Sequence, residues 1–303
     1  MPPITTGPGA KPEPREADLV APPAATIASM AAETAASHLT LRLASDMEQG
    51  HHVTDHMQRL IRLKLWHAAS VCDAGELPFA DAIRHRTGIF RLTTFAGVAE
   101  REIAEDRQGW AETLSCLEDV RKSAADTEEF EHRGLRLLWP LAEPMVEVEL
   151  ARFAEFCSTA DGPFKFEISR YYADNHAPEH VTLHVRNCYR PDSPFDHHSE
   201  IKEALRKVLD RAAEVRRDVT WIQCGSWLNS LPPFARLFPQ SWVDTAVPGK
   251  PGGHMGWWGQ FQDRRGGFHE ANARRFRATG KFPYTHLLCH CPIEDLRRHL
   301  DEE

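Results

Sequence analysis

The sequence predicts an α+β fold, with a helical N-terminal half packed on a mixed α/β sheet domain. Three observations lead to this prediction. Apolar residues recur at spacings of three and four before residue 160, alternate with polar ones after Gly162, and form a strongly amphipathic helix between predicted strands. The predicted organisation is a disordered tail over residues 1–30, a helical domain over 31–160 and an α/β domain over 161–303.

The composition and the net charge indicate where the chain is disordered and which partners it lacks. Residues 1–30 are rich in Pro, Ala and Gly, which predicts disorder because little apolar surface can be buried there. The net charge of −8 argues against a nucleic-acid partner. No apolar run is long enough to cross a membrane, and no secretory signal precedes the first helix. The seven cysteines are odd in number and scattered, which favours reduced thiols and a cytoplasmic protein. The oligomeric state stays open.

The helical half divides into three predicted stretches. The first runs from Ala31 to Trp66 and is interrupted at Gly50, where two helices could meet. The second covers residues 78–125. The third covers residues 127–156 and is broken at Pro140 and Pro144, which lack a backbone donor.

The second half alternates between strand and helix patterns. The segments FKFEISRYY and VTLHVRNCY alternate polar and apolar residues, so they predict two strands joined by a loop over Ala173–His180. The helix Glu200–Val215 follows, with Ser199 as a suitable N-cap. The remaining predicted elements are strands at Val219–Gln223, His254–Phe261 and Tyr284–Cys291, and helices at Glu270–Thr279 and Ile293–Leu300.

Histidine is abundant, with 17 residues, and it marks one side of the second predicted strand. His180, Thr182, His184 and Arg186 alternate with Val181, Leu183 and Val185, which places the polar residues on one face. His184 is the best single candidate for a general base. His180 and His184 are ~13 Å apart on a strand, too far to share one metal ion. A half-exposed sheet face without chemistry is the competing interpretation.

The segment Cys224-Gly225-Ser226-Trp227-Leu228 ends a predicted strand at a tight turn. A nucleophile at such a turn would be Cys224 or Ser226, although Leu228 replaces the second glycine of a Gly-x-Ser-x-Gly elbow. The alternative is a buried turn with Trp227 in the core.

Two further patterns are candidate ligand sites. Glu48-x-x-His51 and Glu129-x-x-His132 have the spacing that places both side chains on one helix face, where they could bind iron or zinc; a solvated helix face is the alternative. The segment 250–300 has nine Lys or Arg against four Asp or Glu. Four of its arginines could hold a phosphorylated ligand beside two stacking tryptophans, whereas the alternative is a solvated helix over a Trp-rich core. These residues are Arg264, Arg265, Arg274, Arg275, Trp257 and Trp258.

The stretch Phe164–Pro239 resembles the C-terminal domain of a GNAT-like bacterial N-acyltransferase family. The resemblance depends on FKFE, on Leu183–Val185 and on CGSWLNSLPPFARLFP, and covers about a quarter of the chain. The family's Gln/Arg-x-x-Gly-x-Gly/Ala pyrophosphate loop is absent. The segments HMGWWGQFQDRRGGF and KFPYTHLLCHCPIEDL resemble an uncharacterised group of bacterial proteins.

The resemblance implies an acyltransferase that acts on a small amine or a natural-product-type substrate. The donor would be acyl-CoA or another phosphorylated acyl donor, with His184 as the acid–base residue and Ser226 as a polar contributor. Two alternatives remain. One is a metal-dependent enzyme, with non-haem iron or zinc bound by the Glu and His residues of the helical half. The other is a non-catalytic binding protein that exposes Trp257 and Trp258.

Overall fold

The computed structural model describes residues 43–96, 109–170 and 178–302, without the side chains of residues 43–50. The predicted tail at residues 1–30 therefore lies outside the described residues. The described residues from position 44 onward group into one compact unit. An α+β fold is confirmed, with helices first and a five-stranded mixed sheet after them. Among the described helices, none is long and apolar enough to cross a membrane.

The first helix, α1, spans Leu43–Asp73. It continues through Gly50, so the predicted division there is wrong; a single glycine costs a helix only about 1 kcal/mol, which the rest of α1 offsets. Met57, Ile61, Leu65 and Ala68 recur at four, four and three residues and are all buried.

Short elements and three further helices complete the helical half. The region predicted as helical over 78–125 begins with the four-residue α2 (Phe79–Ala82), a π-helical turn at Ile83–Thr87 and 3-10 turns at Ile89–Leu92 and Thr94–Ala96, while residues 97–108 lie outside the described chain. Then follow α3 (Trp110–Ser123), α4 (Thr127–Ala142) and α5 (Pro144–Thr159).

The predicted break between the last two helices falls at Pro144 and not at Pro140. Pro140 lies inside α4, whereas Pro144 occupies the first turn of α5, where no backbone donor is needed. Asp126 begins α4 by accepting a hydrogen bond from the Glu129 amide. The helices share one apolar core that includes Trp110, Leu117 and Phe130.

The sheet has the strand order β1-β2-β3-β5-β4. The strands are β1 (Phe164–Arg170), β2 (Glu179–Val185), β3 (Trp221–Ser226), β4 (Val247–Pro248) and β5 (Leu287–Pro292). The pair β2–β3 is parallel, and the pairs β1–β2, β3–β5 and β4–β5 are antiparallel. Residues 171–177, which include the last two positions of the first predicted strand and the start of the predicted loop, lie outside the described residues.

The registers separate the side chains of the sheet into two faces, because paired residues point to the same side. We call one of them the apolar face; it carries Phe164, Phe166, Val181, Leu183, Ile222, Cys224, Cys289 and Cys291. We call the other the histidine face; it carries Glu167, His180, Thr182, His184, Gln223, Gly225 and His290.

The apolar face is covered by α6 (His198–Val215), which crosses from β2 to β3. Ile201, Leu205, Val208 and Leu209 of this helix are buried against the strands. The residue at the N-cap position is His197 and not Ser199, which lies within the helix, so that part of the prediction is wrong. The short helices α7 (Pro232–Ala235) and α8 (Gln240–Asp244) and the C-terminal α11 (Ile293–Glu302) complete this layer.

The segment His254–Phe261 was predicted as a strand but is helical: α9 spans Met255–Trp258, and a 3-10 turn spans Gly259–Phe261. Its aromatic residues pack together with α10 (Glu270–Thr279) and with α1, so three-dimensional packing overrides the local strand preference. We call this group the aromatic seam; its buried members are Leu60, Leu63, Trp257, Trp258, Phe261, Ala273 and Phe276.

An ion pair reinforces the contact between the helical half and α10. Glu131 of α4 has a side chain only 4% exposed, and both its oxygens accept hydrogen bonds from Arg277, at 2.6 and 2.7 Å. Such a bidentate pair fixes both distance and orientation.

Candidate functional site

The candidate site lies at the C-terminal ends of the two parallel strands. In the described chain, the pairing of β2 with β3 consists of Val181 with Ile222 and Thr182 with Gln223. Both strands continue for three residues beyond these pairs, to Val185 and Ser226. We call the region between these two unpaired strand ends the crevice. Open α/β sheets bind ligands at the carboxyl ends of their strands.

His184 lies on the β2 side of this crevice and on the histidine face. Its side chain is 45% exposed, and its Nε2 atom is 3.5 Å from Glu167 Oε1 on the neighbouring strand. A carboxylate at this distance can orient an imidazole. The structure thus adds a partner, Glu167, to the histidine that the sequence singles out.

His286 forms the β3 side of the crevice. A methyl group built on Gly225 would lie 3.3 Å from His286 Nε2, so the ring packs directly on the strand where no side chain intervenes. Extending the register by two residues from Thr182 and Gln223 places Gly225 level with His184. One histidine therefore stands on each side of the crevice.

A second histidine supports His286 from the glycine-rich segment before α9. The rings of His254 and His286 contact each other edge to face, with centroids 5.1 Å apart, and His286 also stacks on Trp257 at 5.5 Å. Burial lowers the pKa of His286, although backbone contacts at Gly225 oppose the shift. Burial, and then the charge of His286, lower the pKa of His254 to about 4. Both imidazoles are therefore neutral at neutral pH.

The loop from β2 to α6 provides groups suited to an anion. The N-terminus of α6 has no side-chain cap, so the amides of its first turn keep their partial positive charge. The Asn187 Nδ2 atom donates to Asp192 O at 2.9 Å and to Arg264 O at 3.1 Å. This amide holds the turn carrying Arg264 and Arg265 against the loop. Both arginines are exposed, and neither has an ion-pair partner within the described residues.

The segment Cys224–Asn229 has a structural role that the sequence does not reveal. Ser226 Oγ accepts a hydrogen bond from the Leu228 amide. The buried Asn229 donates to Cys224 O and to Leu287 O, and it accepts from Trp242 Nε1. The side chain of Asn229 thereby joins β3, β5 and α8 at the base of the crevice.

Cys224 does not fit its predicted role as a nucleophile. Its side chain is 2% exposed on the apolar face, and burial, followed by the neighbouring Cys289, raises the pKa of its thiol to about 12. The thiol stays protonated at neutral pH and is a poor nucleophile. Ser226 is also buried, at 8% exposed, and its position two residues after Cys224 places its side chain on the apolar face, opposite to His184.

The two tryptophans predicted to form an exposed stacking surface are buried. Trp257 and Trp258 are 5% and 0% exposed, and their indole groups donate to the carbonyls of Lys250, Arg86 and Gly252. The expectation of exposed tryptophans is therefore wrong; both rings belong to the aromatic seam. Arg274 and Arg275 are exposed on α10.

The histidines of the two predicted metal patterns lie on the surfaces of α1 and α4. The Glu48 side chain lies outside the described side chains, and His51 is exposed on α1. Glu129 accepts hydrogen bonds from the Ala125 amide and Arg133, and His132 Nε2 is 3.8 Å from Glu128 on the surface of α4. Within the described part of the chain, no three His, Cys, Asp or Glu side chains form a metal-binding group.

One pair of cysteines contradicts the expectation that all thiols are reduced. Cys157 of α5 and Cys188 of the loop after β2 form a disulfide, with their Cα atoms 5.5 Å apart. They are 31 residues apart in the chain, and spacing alone cannot identify such a pair.

The sequence did not identify Glu167, His286 or Gln223 as candidates. Gln223 is fully buried on the histidine face, where its amide donates to Thr182 Oγ1 at 2.7 Å and to Arg170 O at 3.1 Å. Alternation along β1 could have placed Glu167 on the polar side, but strand order and register were needed to bring it beside His184. His286 precedes its strand, so no periodic pattern marks it.

Comparison of the chain with family models, with curated proteins and with solved structures found no match.

Proposed function

We propose that this protein is an acyltransferase that moves an acyl group from an acyl-CoA type donor to the amine of a small molecule. The observation that carries the proposal is the crevice between β2 and β3, in which pairing stops at Thr182 and Gln223. Strand ends that are not paired with each other offer backbone groups to an extended ligand, and Leu183–Val185 of β2 would supply most of them, since Cys224 O already accepts from Asn229. The arm of an acyl-CoA carries amide groups that can pair with such an edge.

The charged end of the donor would lie at the start of α6. Unpaired amides at a helix N-terminus bind phosphate groups, and Arg264 and Arg265 would add two positive charges nearby. This arrangement would substitute for the glycine-rich pyrophosphate loop that the sequence lacks. A cytoplasmic setting, where such thioesters are available, is part of the proposal.

His184 would act as the general base. The amine attacks the thioester carbonyl, and its proton passes to the His184 imidazole as the carbon–nitrogen bond forms. Glu167 stabilises the resulting imidazolium. The carbon–sulfur bond then breaks, the thiolate leaves and takes up the proton, and backbone amides of the two strand ends stabilise the oxyanion. His286 provides the facing wall.

Isothermal titration with acetyl-CoA and with longer acyl-CoAs tests donor binding. We expect saturable heat, and hydrogen exchange should show slower exchange at residues 183–185 and 224–226 in the complex. The variant R264E/R265E should bind at least about tenfold more weakly, since it replaces two cations with anions beside the donor phosphates. The matched variant R274E/R275E carries the same change on α10. Equal loss in both variants, or no heat with the wild type, contradicts the proposal.

Release of CoA in the presence of a panel of small amines tests the base. H184A should lower the rate at least about a hundredfold, and E167Q should lower it less, since it removes only the orienting charge. The control is H132A, which removes a surface histidine in a comparable His–Glu pair on α4. A fully active H184A protein excludes this role for His184.

A further inference from the structure

The disulfide joins the helical half to the loop that follows β2. Cys157 lies near the C-terminus of α5, and Cys188 lies three residues beyond the end of β2. The covalent ring between them encloses β1 and β2. Both strands are therefore fixed to α5 through one bond.

Other contacts between α5 and this loop follow a single helix stripe. Glu149, Phe153 and Phe156 lie four and three residues apart, which places them on one side of the helix with Cys157. Arg190 lies over the Phe153 ring at 4.1 Å, and Arg186 lies over the Phe156 ring at 5.6 Å. A Glu149 oxygen is 3.7 Å from Arg186.

These non-covalent contacts are weak by comparison with the covalent bond. The Glu149 and Arg186 side chains are both 34% exposed, and an ion pair at that exposure and distance contributes little. Cation–π contacts at partly exposed sites likewise contribute little compared with a covalent bond. The disulfide is therefore the strongest single connection between the loop and α5.

The two disulfide cysteines are less buried than three other cysteines of the chain. Cys157 and Cys188 are both half-buried. Cys224, Cys289 and Cys291 are buried on the apolar face.

We propose that the Cys157–Cys188 pair is a redox-responsive tether that controls the position of the loop from Arg186 to His197. Reduction takes two electrons and two protons from a dithiol protein or from two glutathione molecules, which become a disulfide, and it leaves two thiols. Peroxide reverses the step, since the thiols lose two electrons and two protons and two water molecules form. The inference goes beyond acyl transfer and does not depend on it.

Reduction of the disulfide would free the loop that leads into α6 to move away from α5. Cys188 precedes Tyr189, whose ring stacks on His197 at the N-cap position with centroids 4.3 Å apart. Arg190 donates to Gln262 Oε1 at 2.7 Å, next to the turn that carries Arg264. Movement of Cys188 away from α5 therefore reaches both the start of α6 and this turn.

Hydrogen exchange on the full-length protein, oxidised and after dithiothreitol, tests the tether. We expect amides within residues 186–197 to exchange at least about tenfold faster after reduction, because a locally tethered segment opens more readily when released. Amides of α10 serve as the internal reference. The denatured oxidised protein should show five thiols and the reduced protein seven.

Variants separate the tether from general effects of reduction. C157S and C188S should each exchange like the reduced wild type under both conditions, whereas C116S, an exposed cysteine on α3, should behave like the wild type. Seven thiols after peroxide treatment would overturn the proposal. Equal exchange of the loop in the oxidised and reduced wild type would also overturn it, and this comparison needs no variant that folds.

Discussion

The two faces of the sheet are built from the same strands but carry side chains of opposite character. The apolar face buries aliphatic and cysteine side chains under α6, and burial raises the pKa of Cys224, Cys289 and Cys291 to about 12. The histidine face carries polar groups, of which some are buried and hydrogen-bonded and His184 is exposed. Alternation along a strand thus separates the residues that stabilise the fold from those available for chemistry. The following substitutions test this separation.

The largest expected effect belongs to the apolar face. Leu205 of α6 is fully buried against the strands, and L205A should lower the free energy of unfolding by about 3–4 kcal/mol, because it removes buried methyl groups and leaves a cavity. Urea denaturation followed by circular dichroism measures it. A loss below about 1 kcal/mol would show that α6 is not part of a tightly packed core.

The next effect concerns the base of the crevice, where the faces meet. N229A leaves the carbonyls of Cys224 and Leu287 and the indole of Trp242 without this partner, so we expect a loss of about 2–3 kcal/mol. The neighbouring S230A removes one bond, to Trp227 O, and should cost about 0.5 kcal/mol. Equal losses in the two variants would contradict the joining role of Asn229.

A smaller effect is expected in the pH dependence of the free energy of unfolding, through His254. The pKa of His254 falls from 6.5 to about 4 on folding. Between these two pH values the imidazole is protonated in the unfolded chain but mostly neutral in the folded protein, so acid favours unfolding. Stability is thus fully present above pH 6.5 and declines as pH falls towards 4. Allowing for partial exposure, H254Q should reduce the decline by about 2 kcal/mol, measured by urea unfolding at several pH values. H132Q, on the surface of α4, is the control; an unchanged slope in H254Q would refute the prediction.

The smallest effect on stability is expected at His184. H184A should change the free energy of unfolding by less than about 0.5 kcal/mol, because the side chain is 45% exposed and its partner Glu167 is also solvated. Urea unfolding beside L205A gives the contrast directly. A cost above about 1.5 kcal/mol would mean that His184 is a packing residue.

The sequence predicts the two faces better than it predicts the site. Alternation identified both strand faces around His184, and the amphipathic pattern identified α6, because each depends on residues close in the chain. The site depends on strand order and on the point where β2 and β3 stop pairing, which no local pattern encodes. The strand prediction for His254–Phe261 is wrong for a related reason, because the residues against which this segment packs lie on α1, far away in the sequence.

The aromatic seam has a consequence for how the chain is synthesised. Leu60 and Leu63 leave the ribosome long before Trp257, Trp258 and Phe276, against which they pack. During translation this side of α1 stays uncovered and is open to chaperones or to aggregation. Fragments ending before α9 should therefore accumulate in inclusion bodies, and co-expression of the missing C-terminal piece should rescue them.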